Sequence, residues 1–481
     1  GNKLSKRDKI IKRLPKVLNL GFFYLINIDD LVKNNFFFKE RFNSKLKFMN
    51  KKFHFFRNSV NFEINYYDKS ILFSFLIFKD NNYKLKEANI KQGYFITLTK
   101  VFDLMDTKLH HYITRWNCDH QIDIFIDRTV PIDWISTFKI GINKWNNALH
   151  LANPKCHLNP ISYLDSKWKE FKNGDIKYSS ISLAPSSLDR TYAVGHFDFN
   201  WKTGEIYRGN VMISGNWINY WDRQFSFLEK LLNVNKNKVS LGYQKELTYD
   251  NNIKIDTVRK RFIKKGMQSV IVHEMGHILG LRHNFKASSL VRHDNLMNYH
   301  RIRAIGLIPS IMDYLSMVIN IKEIYKCVTI ECIWNNIEIM DTIGDYDFQT
   351  IQYGYGNDKN ITYDLGPDEF LDTDALSNTG DVSNLPGKYN SDFLKLSKYI
   401  IDNYNFKREV SKFDTYWQEQ SNLVESHYNY LNHAIGLNLK ILSKISYNFD
   451  GKILNIKKTH IESIKFLRNV LDEVYFLKNK I

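Results

Sequence analysis

The sequence predicts an α+β protein, and three observations carry that expectation. The first 120 residues are aromatic and alternate in polarity, a helical pattern near the middle holds three clustered histidines, and the last part has long helical periodicities. The expected organisation is a β-rich region over 1–120, a mixed domain over 121–315 and a mostly helical region over 316–481. In the first region, "NFEINYYDKSILFSFLIF" (Asn61–Phe78) mixes alternation with short apolar runs, as strands do. Ile122–Ile126 alternates as a strand, and Pro131 suits the opening of a helix. Trp134, Phe138, Trp145, Ala148 and Leu149 then recur at helical spacing. "GEIYRGNVMIS" (Gly204–Ser214) reads as a strand, and a helix is expected from about Thr257 to Gly280. Ser391–Asn403, Asp414–Ile445 and Ile456–Leu477 carry the closing helices.

Composition excludes little. The net charge of +17 admits a nucleic-acid or anionic-membrane partner. The lysines are spread along the chain, however, and Lys, Asn, Ile, Tyr and Phe are raised together, as in an AT-biased genome. No nucleic-acid partner is therefore expected. No apolar run approaches the ~20 residues that span a bilayer. Val17–Ile28 follows the basic stretch Lys3–Lys16 in the order of a leader, but two asparagines interrupt it and no small-residue cleavage site follows. The cysteines, Cys118, Cys156, Cys327 and Cys332, include no CxxC pair, which disfavours a cysteine zinc site. Cys327 and Cys332 are close enough in sequence for a local disulfide, and the alternative is four free thiols.

The most informative stretch is "HEMGHILGLRHN", His273–Asn284. On a helix, His273 and His277 stand one turn apart on one face, within reach of a single metal ion. Glu274, beside His273, is placed to take a proton from water without being a ligand. Gly280 can end the helix, after which the chain can fold back and deliver His283. Three neutral imidazoles with an open fourth position match a catalytic zinc site, whereas calcium or magnesium calls for oxygen ligands. Val270, Ile271, Ile278 and Leu279 can anchor the helix in a core.

This twelve-residue pattern resembles that of the metzincin metallopeptidases, the group containing astacins, serralysins and matrixins. "SIMDY" (Ser310–Tyr314), about thirty residues after His283, is similar to their Met-turn. "QGYF", "YITRW", "FIDRTVP", "KWNNAL", "TGEIYRG" and "GDYDFQTIQYGY" occur around these motifs in an order that resembles the large, mostly bacterial zinc-dependent metzincins with flanking regions of unknown function. The resemblance covers about residues 90–375. Asn284 stands where astacins, matrixins and serralysins carry Glu, Ser or Pro, which sets the chain apart from those three.

The resemblance implies a zincin-like domain with a mixed sheet and an active-site helix. It implies one catalytic zinc ion on His273, His277 and His283, with Glu274 as general base. Met312 would form an apolar floor below the metal, and Tyr314 would stabilise the oxyanion. In metzincins an edge strand pairs with the peptide substrate, and Glu205, Ile206, Tyr207, Arg208 and Gly209 are the matching candidates. The implied activity is a zinc endopeptidase acting on peptides or proteins, with a secreted, periplasmic or envelope location. Two other readings stay open: a catalytically silent scaffold that binds proteins, and amidase chemistry on a non-peptide substrate.

Overall fold

The computed structural model describes the backbone of residues 17–19, 24–26, 50–55, 59–66, 69–76 and 83–478, except 90–92, 103–106, 186–189, 240–247, 299, 301, 303–305, 315–316, 358–362, 364, 404–412 and 448–451. The basic stretch Lys3–Lys16 and half of the leader-like segment Val17–Ile28 lie outside these residues. The chain divides into two units. One comprises Gly1–Asp80 with Gly174–Ile176, and the other Asn81–Asn173 with Lys177–Ile481.

In the first unit, β1 (Val17–Asn19) and β2 (Tyr24–Ile26) form an antiparallel pair. β3 (Asn50–Phe55), β4 (Ser59–Tyr66) and β5 (Lys69–Leu76) form an antiparallel sheet in which Phe53, Phe62 and Phe73 share one row.

The second unit opens with a hairpin of β6 (Ile96–Phe102) and β7 (Thr107–Ile113). Its central sheet runs in the order β10–β9–β11–β13–β12. These are β9 (Ile122–Ile126), β10 (Leu158–Ile161), β11 (Ser179–Ala184), β12 (Ala193–Phe199) and β13 (Glu205–Ser214). Four of the strands are parallel, and β12 alone runs antiparallel along the edge. The short β8 (Arg115–Trp116) pairs with the start of β13. Ile122, Ile124 and Ile126 alternate onto one face of β9 and are buried, as period-two patterning requires.

The expected helix after Pro131 forms in two pieces, α1 (Ile132–Asn143) and α2 (Asn146–Ala152). The break frees Trp145 to turn inward, where it is fully buried and donates Nε1–H to Val272 O at 2.9 Å. α3 (Asn216–Val239), which the periodicity did not suggest, buries Trp221, Phe225, Leu228, Leu231 and Leu232 along one stripe. α4 (Thr248–Ile278) carries the histidines and starts some nine residues earlier than expected. Its inner face, with Phe262, Met267, Ile271 and Met275, is fully buried. Its last carbonyls are satisfied by side chains: Trp116 Nε1–H donates to Ile278 O at 2.7 Å, and the Tyr355 hydroxyl to Leu279 O at 2.8 Å.

Beyond the central core lie α5 (Ile321–Ile324), α6 (Ile330–Asn335) and α7 (Asp345–Tyr355). The closing helices are α8 (Pro386–Asn403), α9 (Phe413–Leu442) and α10 (Lys457–Lys478), close to the expected bounds. Both cysteine pairs are bonded. Cys327–Cys332 is the local bridge admitted by the sequence, and Cys118–Cys156 closes a 38-residue separation that no local signal announced. Among the described residues, no helix is long and apolar enough to cross a membrane.

Candidate metal centre

The centre forms where α4 ends. Gly280 adopts φ +94°, and a Cβ there would collide with Thr114 O. Gly280 N–H donates to His277 O at 2.9 Å and Leu281 N–H to Gly276 O at 3.0 Å, the two bonds of a Schellman stop. The emerging chain is then held by residues 93–95. Phe95 N–H donates to Gly280 O at 2.8 Å, and Arg282 N–H donates to Gly93 O at 2.6 Å. This reversal delivers His283 to the face of the helix that carries His273 and His277. The candidate ligand atoms of the three all lie within 4.8 Å of one another.

The imidazoles are oriented from behind. His273 Nδ1 lies 2.8 Å from Ile311 O, His277 Nδ1 2.8 Å from Leu281 O, and His283 Nδ1 2.9 Å from Asp368 Oδ1. Each neighbour is an acceptor, so each Nδ1 carries the proton and each Nε2 presents a lone pair. The Nε2 atoms of His277 and His283 are 3.2 Å apart, and buried His273 Nε2 has no hydrogen-bond partner. Three lone pairs facing one another repel unless a cation lies between them. Nitrogens sharing a tetrahedral zinc at about 2.0–2.1 Å are roughly 3.3 Å apart, so the residues present fit a zinc ion. Burial holds His273 well below the ordinary imidazole range and His277 down to about 4, so both are neutral, the form that ligates. Burial also lowers His283, against the opposing pull of Asp368.

Glu274 is buried on the same turn. Burial raises its carboxyl to about 7, opposed by a hydrogen bond from Gly195 N–H on β12. Its Oε2 has no partner.

Met312 is fully buried beneath α4. Its Sδ fills the space that a side chain at Gly276 would need, so Gly276 is required by close approach. The turn around it is held by Asp347 on α7. Asp347 accepts from Ser310 Oγ at 2.6 Å, Ile311 N–H at 2.7 Å and Gly344 N–H at 2.8 Å. Asn284 N–H donates to Met312 O at 3.0 Å, tying the third histidine's segment to the same turn. The Tyr314 ring lies 4.8 Å from that of His283 and 5.3 Å from that of His273. Burial pushes its hydroxyl up to about 12.

The edge-strand expectation is corrected. Glu205, Ile206, Tyr207, Arg208 and Gly209 lie on β13, which is flanked by β11, β12 and β8 and is internal. The edge beside the site is β12, which pairs only with β13 among the described residues. Edge position depends on strand order, which no local pattern in Glu205–Gly209 records.

Three further features escaped the sequence reading. Asp368 reaches His283 from 85 residues downstream. Asp347 holds the Met312 turn from within "GDYDFQ". A cavity of about 430 Å³ opens beside His273 and Glu274, walled by Trp217, Tyr220 and Trp221 of α3. Only the aromatic spacing in "NWINYWD" hints at it. Elsewhere, Lys260, Arg261, Lys264 and Lys265 gather around a hollow of about 560 Å³. Lys265 is paired there with Glu338, and Arg261 lies over Trp334.

No curated protein and no solved structure matches the chain. Residues 256–362, which hold the three histidines, Glu274 and Met312, match the model of a family described as Met-zincin, a match that supports a metzincin over this segment.

Proposed function

We propose that the protein is a zinc-dependent endopeptidase. One observation supports this above the others: three neutral imidazoles, each oriented through Nδ1, turn their Nε2 atoms toward one point beside a buried carboxylate. A zinc ion held by His273, His277 and His283 would supply Lewis acidity toward a scissile carbonyl and toward water.

The chain's own groups supply the remainder. The extended substrate adds to the open edge of β12, where backbone pairing aligns it without reading much sequence. One of its side chains enters the cavity walled by Trp217, Tyr220 and Trp221, which suits a large apolar residue. Glu274 accepts a proton from the attacking water and passes it to the leaving amine. The Gly195 N–H holds that carboxylate while its Oε2 stays available. The Tyr314 hydroxyl, within reach of the histidine face, donates to the oxyanion as charge develops. Met312 packs below the histidines as apolar support.

The test is cleavage of a diverse peptide library by the purified chain, with and without chelator, beside Glu274→Gln. Cleavage that chelator and the substitution both abolish supports the reading. A parent that holds zinc yet cleaves nothing makes the silent scaffold the better description.

A further inference from the structure

The third histidine is held unlike the first two. His273 and His277 sit on a helix, are nearly sealed from solvent and direct Nδ1 to backbone carbonyls. His283 lies past the helix stop, has 15% of its side chain exposed and directs Nδ1 to a carboxylate, Asp368 Oδ1. Helix geometry does not fix this ring; Phe285 and Tyr314 pack against its faces, and the group behind Nδ1 sets its tautomer and aim.

The segment bearing Asp368 is stapled to the chain around His283. Phe285 N–H donates to Gly366 O at 2.7 Å, and Gly366 N–H donates to Asn284 Oδ1 at 2.8 Å. On the other side, Arg282 pairs with Glu369 and lies 4.0 Å from Asp368. Residues 282–285 and 366–369 thus run together, with Asn284 wholly buried between them.

We propose that Asp368 is a positioning residue for the third metal ligand. It holds His283 as the Nδ1–H tautomer, aims Nε2 at the other two histidines and strengthens the imidazole as a donor. A charged acceptor does this better than a carbonyl, because charge-assisted hydrogen bonds are stronger and raise ligand basicity. The inference rests on reading the three histidines as a metal site.

The experiment measures zinc affinity by competition with a chromophoric chelator, together with the visible spectrum of the cobalt-substituted protein. The proteins compared are the parent, Asp368→Ala, Asp368→Asn and Glu369→Gln. Asp368→Ala is expected to bind zinc about 10–100-fold more weakly and to shift the cobalt bands. Asp368→Asn keeps an acceptor oxygen without its charge and falls between. Glu369→Gln removes the Arg282 pair of the staple but leaves the carboxylate behind His283, and it is expected to weaken zinc binding less than Asp368→Ala does. Asp368 has 52% of its side chain exposed, so the metal-free melting temperature is expected to stay at the parent value. Zinc affinity of Asp368→Ala within about twofold of the parent, against the loss seen when such partners are removed, with an unchanged cobalt spectrum, overturns the proposal. A parent that binds neither metal removes the metal-site reading itself, and this role with it.

Discussion

Asn284 shows how one residue, through its backbone and its side chain, can join three parts of a site. Its N–H reaches the Met312 carbonyl and its Oδ1 receives Gly366 N–H. Asn284→Ala leaves a buried N–H without its acceptor, which typically costs about 1–3 kcal/mol, and a lowered melting temperature in the metal-free chain checks this. In the proposed reaction Glu274 is the proton acceptor. Glu274→Gln keeps the shape and loses the proton acceptor. Zinc content is expected to match the parent while peptide turnover falls roughly 10²–10⁴-fold. Equal zinc with unchanged turnover would assign the base elsewhere. His277→Ala removes one of the three converging nitrogens, and metal analysis is expected to find most of the zinc gone.

At the scale of elements, α4 and the turn below it act as a pair, with Met312 Sδ packed against Gly276. Met312→Leu conserves apolar volume and is expected to cost less than ~1.5 kcal/mol, with zinc retained. A sulfur–zinc bond in a metal-loaded structure would assign Met312 a different role. α3 contributes the cavity wall. Trp217→Ala is expected to shift cleavage away from peptides with large apolar residues while zinc content stays constant. An unchanged cleavage pattern would place substrate elsewhere. The helix with its histidines was legible because HExxH places its residues by local geometry, and the closing helices because their periodicity is long. The break at Lys144–Trp145 was not legible, since the apolar spacing continues through it and only the position of Val272 O explains it. Strand order and the Asp368 contact were hidden for the same reason. Both are set by pairings between segments distant in the chain, and nothing local to Glu205 or Asp368 records them.

Over the whole molecule, buried charge matters more than the net +17. Asp313 and Asp381 are both buried and share Ser288: its N–H donates to Asp313 at 3.1 Å and its hydroxyl to Asp381 at 2.6 Å. Burial and the neighbouring Asp381 push Asp313 well above its ordinary value, and burial raises Asp381 to about 7. The folded chain therefore keeps a proton that the unfolded chain releases between the ordinary value of 3.8 and about 7. The contribution of Asp381 to stability falls as pH rises through that window. Metal-free Asp381→Asn is expected to melt a few degrees above the parent at pH 8, with the gap closing near pH 4. An equal gap at both pH values would show that Asp381 does not titrate in that window. The basic hollow around Lys264 is partly neutralised by Glu338, and titration with duplex or single-stranded nucleic acid is expected to show no salt-steep binding at micromolar levels.

The staple between residues 282–285 and 366–369 also bears on how such a site can be inherited. The family match ends at residue 362, four residues short of Gly366 and six short of Asp368. A segment cut at that boundary and moved into another protein would carry all three histidines and leave behind the carboxylate that steadies the last of them. On the proposed role of Asp368, recombination that moved the histidine segment alone would leave His283 without the acceptor behind it.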